Sequence, residues 1–260
     1  MSAFPSWLQW SYTILIGACV GSFLNVVIYR VPRKLSVAHP PSACPGCEKR
    51  IAPYDNIPVL SWLFLRGRCR RCKTSIALRY PLIEFGTALI AALCVWQFGF
   101  GAKGVAVFAL LAAMLAVALI DWEHMIIPDG ISLGYLVLGI AISPFVGPGF
   151  WASLIGAAVG GGLLLAVAVL WEKLRGVEAM GGGDIKLMGA VGAFLGAVPA
   201  LLIIFVGAFL GAIVGGIMLR RDGQARIAFG TFLSAATFLV VFFGDSVVAW
   251  YLQSTGLAGR

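Results

Sequence analysis

VAVFALLAAMLAVALIDWEHMIIPD, residues 105–129, decides the fold. Val105 to Ile120 are sixteen apolar residues in a row, and Asp121 is the first charge to follow them. That run is too long for a β-strand and, with its neighbours, approaches the roughly 20 residues an α-helix needs to cross a bilayer. Working outward from this run at 104–120, seven more of the same kind lie at 7–28, 81–99, 130–147, 150–171, 186–198, 200–219 and 227–252. The run at 186–198 is the short one, expected to tilt or to reach the surface early. The whole chain agrees: 60% of its 260 residues are hydrophobic and 12% charged, and its mean hydropathy is +0.96. An ordinary soluble domain is about half apolar and a quarter charged, so a plain soluble enzyme and a disordered chain are both excluded. The pattern predicts an all-α polytopic membrane protein with about eight transmembrane helices.

The net charge of +8 comes from 19 Lys and Arg against 11 Asp and Glu, and its meaning depends on where the cations sit. Eleven of them lie between Arg30 and Arg79. Lys173, Arg175, Lys186, Arg220, Arg221 and Arg226 supply most of the rest, and Lys103 and Arg260 stand apart. Clustering between apolar runs is a topology signal, not a nucleic-acid footprint. The positive-inside rule places loops 29–80, 121–129, 172–185 and 220–226 in the cytoplasm and both termini outside. No cation precedes the first apolar run, so it reads as a retained span, not a cleaved signal peptide. The expected division is a first transmembrane helix over 1–28, a cytoplasmic loop over 29–80 and a transmembrane core over 81–260.

Many of the 33 glycines sit inside the apolar runs. Gly17 and Gly21, Gly156 and Gly160, and Gly207, Gly211 and Gly215 recur every four residues, which puts small surfaces on one helix face where backbones can approach. GAAVGGG at 156–162 follows no strand and is read as packing, not as a nucleotide loop.

Loop 29–80 carries CPGC at 44–47 and CRRC at 69–72, 21 residues apart. Each CxxC presents two thiolates from one knuckle, and two knuckles complete a tetrahedron around a soft divalent metal. Cys44, Cys47, Cys69 and Cys72 are therefore predicted to hold a structural zinc, on the reducing side of the membrane where disulfides are rare. Arg66, Arg68, Arg70, Arg71 and Lys73 offset the charge of clustered thiolates. His39 is read as a surface residue, since four thiolates already complete the site, and Cys19 and Cys94 as packing residues within the membrane.

Acidic residues at membrane depth are expensive and mark function. Asp121 ends one apolar run and Asp184 closes GGGD just before another, both at the cytoplasmic edge. Two carboxylates brought together there cannot both ionise cheaply, so one keeps its proton and the pair can act as acid and base around a water. That is aspartic protease chemistry. The competing reading of Asp184 is a helix N-cap. Asp129, between Pro128 and Gly130, is expected to cap the helix that follows it. Glu123 and His124 are possible helpers of Asp121.

Taken together, these motifs resemble the bacterial type IV prepilin peptidases, the leader peptidase/N-methyltransferases, which are aspartic proteases of the GxGD type. The resemblance rests on GSFLNVVIYRVP at 21–32, the two CxxC knuckles, IPVLSWLFLRGRCRRC at 57–72, RYPLIEF at 79–85, DWEHMIIPD at 121–129 and GGGDIKLMGAVGAFLG at 181–196. It implies that Asp121, leading the D-x5-IPD motif, and Asp184, the Asp of GxGD, are the catalytic pair, and that 81–260 is the peptidase core. It implies removal of the basic leader of prepilins and type II secretion pseudopilins after a glycine. It further implies methylation of the new N-terminal residue by S-adenosylmethionine in the inner membrane. Gly181, Gly182 and Gly183 are expected to let an extended substrate backbone approach Asp184, and Glu123 and Glu178 to attract a basic leader. No Rossmann-type GxGxxG is present, so the S-adenosylmethionine site is not legible. The alternatives are a non-enzymatic assembly factor and a proton-coupled transporter, and against the transporter both aspartates lie at one membrane edge instead of the midplane.

Overall fold

The computed structural model describes residues 5–177, 180–222 and 227–255; Glu178, Arg226 and Arg260 lie outside them. The described residues form nine α-helices and no β-strand: α1 Ser6–Arg30, α2 Leu60–Phe64, α3 Arg79–Phe98, α4 Ala102–His124, α5 Asp129–Val146, α6 Phe150–Arg175, α7 Gly182–Leu195, α8 Ala197–Asp222 and α9 Phe229–Ser254. Apart from the short α2, they match the eight apolar runs one for one. Seven of them are long and apolar enough to cross a membrane. The eighth, α7, has 14 residues and is about 21 Å long at 1.5 Å per residue, short of the roughly 30 Å hydrocarbon layer. Large apolar side chains such as Trp96, Phe145, Trp151 and Phe205 face outward, the arrangement expected where the surroundings are lipid.

The chain divides into two compact units, Met1–Ala112 and Ala113–Arg260. In the first, α1 lies against α3. A Cβ at Gly17 would strike the backbone of Ala88, and one at Gly21 that of Glu84, so these glycines are the contact surface. The Asn25 amide of α1 donates to the Tyr80 carbonyl of α3 at 3.2 Å. The Glu84 carboxylate accepts the Val59 N–H at 2.7 Å, tying the connecting loop to α3. Within that loop Trp62 Nε1 donates to the Ile76 carbonyl at 3.0 Å, and Arg70 grips Asp55 with Nε and Nη2 at 2.7–3.0 Å.

In the second unit α7 is the central helix, packed against α5, α6, α8 and α9. That enclosure explains how so short a helix persists: Leu187, Met188, Ala190, Val191 and Ala193 are fully buried. Gly156 and Gly192 bring the α6 and α7 backbones together, and the Ser153 hydroxyl donates to the Ala193 carbonyl at 2.7 Å. Gly160 meets Met188 of α7, while Gly207, Gly211 and Gly215 of α8 meet Leu233, Phe232 and Ile227. Every glycine series singled out by its four-residue spacing is thus a helix contact, and GAAVGGG lies within α6. Gly196 alone separates α7 from α8; its φ of +89° with extended ψ is a conformation that suits glycine, and it ends α7 there.

Candidate functional site

Two features of the second unit bring chemistry to one place. Asp121 stands one turn before the end of α4, where Met125 closes the helix in the left-handed region, its N–H donating to the Asp121 carbonyl at 2.8 Å. Asp184 is the third residue of α7, whose N-cap position is Gly181. Both carboxylates are buried, at 5% and 7% exposure, and both line one open cavity of about 570 Å³. Met125, Ile126, Ile127, Met180, Ile227 and Phe229 form its apolar walls, with Gly181 and Gly183 beside Asp184. The cavity brings together groups 63 positions apart in the chain.

The two carboxylates are held differently. Asp121 Oδ2 accepts the backbone N–H of Thr231 at 3.0 Å, an amide of the first turn of α9 that is shared with the Ala228 carbonyl at 3.1 Å, so that turn fixes its orientation. The Thr231 hydroxyl in turn donates to the Ala118 carbonyl of α4 at 3.0 Å. Asp184 Oδ1 is buried without a hydrogen-bond partner among the described residues. Asp184 is therefore not an N-cap, and a buried carboxylate oxygen left unpaired is costly unless something else uses it. Asp129 does not cap α5 either. The N-cap position is Pro128, and Asp129 Oδ1 instead meets Lys186 Nζ of α7 at 2.7 Å in an exposed ion pair. Asp129 lines the cavity mouth; Glu123 and His124 are not among its lining residues.

The glycines of GGGD have separate surroundings. Gly181 and Gly183 line the cavity, Gly182 has open space where a Cβ would be, and Gly183 lies under the Ile127 side chain. Gly230, Thr231 and Ile127 were not singled out by the sequence, since AFGTF at 228–232 carries no titratable group and only its Gly-Thr at a helix start hints at a role.

In the first unit Cys44, Cys47, Cys69 and Cys72 converge, with all four Sγ atoms within 4.8 Å of one another. The knuckles match in detail. Glu48 N–H returns to the Cys44 carbonyl and Lys73 N–H to that of Cys69, and Glu48 and Lys73 both have positive φ. Ala43 pairs with Arg50 as Arg68 pairs with Ser75. The Cys44 and Cys72 sulfurs are 3.6 Å apart, close to the roughly 3.8 Å edge of a tetrahedron with 2.3 Å Zn–S bonds. This cluster fits a metal such as zinc. His39 is exposed, Cys94 is buried in α3, and Cys19 lies on the exposed side of α1.

Comparison with known proteins gives two family matches. Residues 15–98 match the bacterial peptidase A24 N-terminal domain and residues 108–216 the type IV leader peptidase family. The chain is 37% identical to the prepilin leader peptidase/N-methyltransferase of Pseudomonas aeruginosa, over 94% of this chain and 93% of that one. Its counterpart in Stutzerimonas stutzeri is 36% identical, over 92% of each chain. That of Aeromonas hydrophila is 37% identical, over 95% of each. No solved structure matches.

Proposed function

This chain belongs to the type IV leader peptidase family, and on that premise we propose that it is a membrane aspartic endopeptidase which removes the leader of type IV prepilins and type II secretion pseudopilins after a glycine, then methylates the new N-terminal residue. The observation that carries the reading is the shared cavity of Asp121 and Asp184, with Asp184 Oδ1 buried and without a hydrogen-bond partner among the described residues. Two carboxylates lining one cavity repel when both are ionised, which favours a state in which the pair holds a single proton. The charged aspartate takes a proton from water as its oxygen adds to the scissile carbonyl carbon. The protonated one gives its proton to the departing nitrogen, the C–N bond breaks, and an acid and an amine are released. The apolar walls limit competing water, and Gly181 and Gly182 leave room for an extended substrate backbone, whereas the space beside Gly183 is taken by Ile127.

The reaction is assigned to the cytoplasmic face, with both termini outside. In support, Lys173 and Arg175 close α6 and Arg220 and Arg221 close α8, the ends that the positive-inside rule keeps in the cytoplasm. Cys44, Cys47, Cys69 and Cys72 would hold zinc, which would fasten loop 29–80 into one shape. S-adenosylmethionine would supply the methyl group. No strand exists among the described residues to form a Rossmann-type cradle for it, so loop 29–80 is the surface favoured for methyl transfer or substrate docking, and 81–260 for cleavage.

The test is cleavage of a prepilin-type substrate by membranes containing the wild type, Asp121→Asn, Asp184→Asn or Asp129→Asn at equal abundance. Loss in the first two variants by at least about 10³-fold, with cleavage kept in the third, is expected. Cleavage retained by either of the first two would refute the pair. No cleavage by the wild type would favour the assembly factor or the transporter.

A further inference from the structure

The Ile127 side chain occupies an unusual position, between the turn that carries Asp184 and the turn that orients Asp121. A Cβ at Gly183, the residue before Asp184, would lie 2.9 Å from Ile127 Cβ. A Cβ at Gly230, the residue before Thr231, would lie 2.6 Å from Ile127 Cδ1 and 3.0 Å from Asp121 Oδ2. One side chain therefore presses on α7 and α9 at the residues preceding Asp184 and the amide donor to Asp121, and both positions are glycine. Branching at Cβ leaves isoleucine few rotamers, which makes it a stiff spacer. Its place in the chain adds to this, because Ile127 follows α4, the helix that carries Asp121, by three residues.

We propose that Ile127 is the positioning residue that sets the separation of the two carboxylates, with Gly183 and Gly230 as its seats. The proposal rests on Asp121 and Asp184 being the catalytic pair. A water held between two carboxylates reacts only in a narrow range of geometry, and a displacement of about 1 Å can lower the rate about 100-fold without touching the chemistry. Ile127 itself takes no proton and forms no bond. Its effect therefore falls on kcat, while the remaining cavity wall continues to bind substrate.

The experiment measures kcat and KM for cleavage of a prepilin-type substrate by purified full-length protein carrying Ile127→Val, Ile127→Ala, Gly230→Ala or the double change Ile127→Ala with Gly230→Ala. Ile127→Val, which removes Cδ1, the atom nearest Gly230, but keeps Cβ and Cγ1, should lower kcat less than Ile127→Ala does. Ile127→Ala and Gly230→Ala should each lower kcat about 10- to 100-fold with KM within about 3-fold. The two losses should not multiply in the double variant, because the Ile127 atoms nearest the new Cβ are gone and only Asp121 Oδ2, 3.0 Å away, remains beside it. Wild-type kcat in Ile127→Ala, or a double variant in which the two single losses multiply, would overturn the proposal. So would a loss confined to KM. Asp121→Asn and Asp184→Asn are measured alongside. Activity in either refutes the catalytic pair itself, whereas inactivity in both together with an insensitive Ile127 refutes only the spacer.

Discussion

Gly156→Ala would separate α6 from α7 at their closest approach, and the size of the effect follows from the contacts. In a helix interior alanine is favoured over glycine by about 1 kcal/mol. Gly162 on the same helix should show that gain, since nothing lies within 4 Å of an added Cβ. At Gly156 the Cβ would land on the Gly192 carbonyl oxygen and lie 2.8 Å from the Gly196 backbone. Carbon contacts settle at about 3.5–4.0 Å, so the helices must part by roughly 1 Å, and backbone cannot rotate aside as a side chain would. Overpacking of this kind costs up to about 3 kcal/mol. Set against the propensity gain, Gly156→Ala should destabilise by about 2 kcal/mol, and should lie about 3 kcal/mol below Gly162→Ala. Function should follow, because α7 carries Asp184 eight residues before Gly192 and the helix moves as a rod. Cleavage should fall about 10- to 100-fold. Thermal unfolding in detergent micelles, followed by tryptophan fluorescence, and cleavage by the same samples provide the measurement. If Gly156→Ala unfolds at or above the temperature of Gly162→Ala and cleaves like the wild type, the close-approach argument is wrong.

Three other outcomes are expected. The purified wild type should contain one zinc per chain by elemental analysis, and Cys44→Ser combined with Cys69→Ser should lose it. Methyl transfer should disappear in that variant while cleavage persists, and complete loss of cleavage by a folded variant would refute the division of labour between loop and core. The Arg70 guanidinium holds the Asp55 carboxyl below its ordinary value. Its stabilisation of the loop is thus fully present above the unfolded value, near 4, and is lost as pH falls through the lower folded value. Limited proteolysis of loop 29–80 should speed up on acidification in the wild type and be fast at all pH values in Asp55→Asn; an unchanged pH profile in that variant would exclude the pair. Lys186→Gln should leave Tm within about 3 °C and cleavage within about 2-fold, because its ion pair with Asp129 is exposed and such pairs are worth about 0–1 kcal/mol. A larger fall in cleavage would show that the cavity mouth depends on that charge.

Much of this molecule is decided by local order along the chain. Sixteen apolar residues before Asp121 can satisfy their backbone in lipid only as a helix, so the helices fall where the apolar runs do. The knuckles were equally legible, because CxxC places two sulfurs on one side of a tight turn within four residues, and glycines every fourth position mark a helix face wherever the partner lies. Asp121 and Asp184 were conspicuous because charge at the end of an apolar run is expensive. What no local pattern contains is which turns meet. The Thr231 amide reaches Asp121 across 110 positions, Ile127 rests on Gly183 and Gly230, and Asp129 finds Lys186 instead of a helix end. The shortness of α7 was visible in the run at 186–198, but what sustains a helix of 14 residues was not, since its stability comes from enclosure by α5, α6, α8 and α9. Sequence alone determined the helices, the loop with its four clustered cysteines and the two carboxylates. Tertiary structure decided what holds those carboxylates and how they share a cavity, because that depends on backbones brought together at glycines, where the absence of a side chain lets distant turns touch.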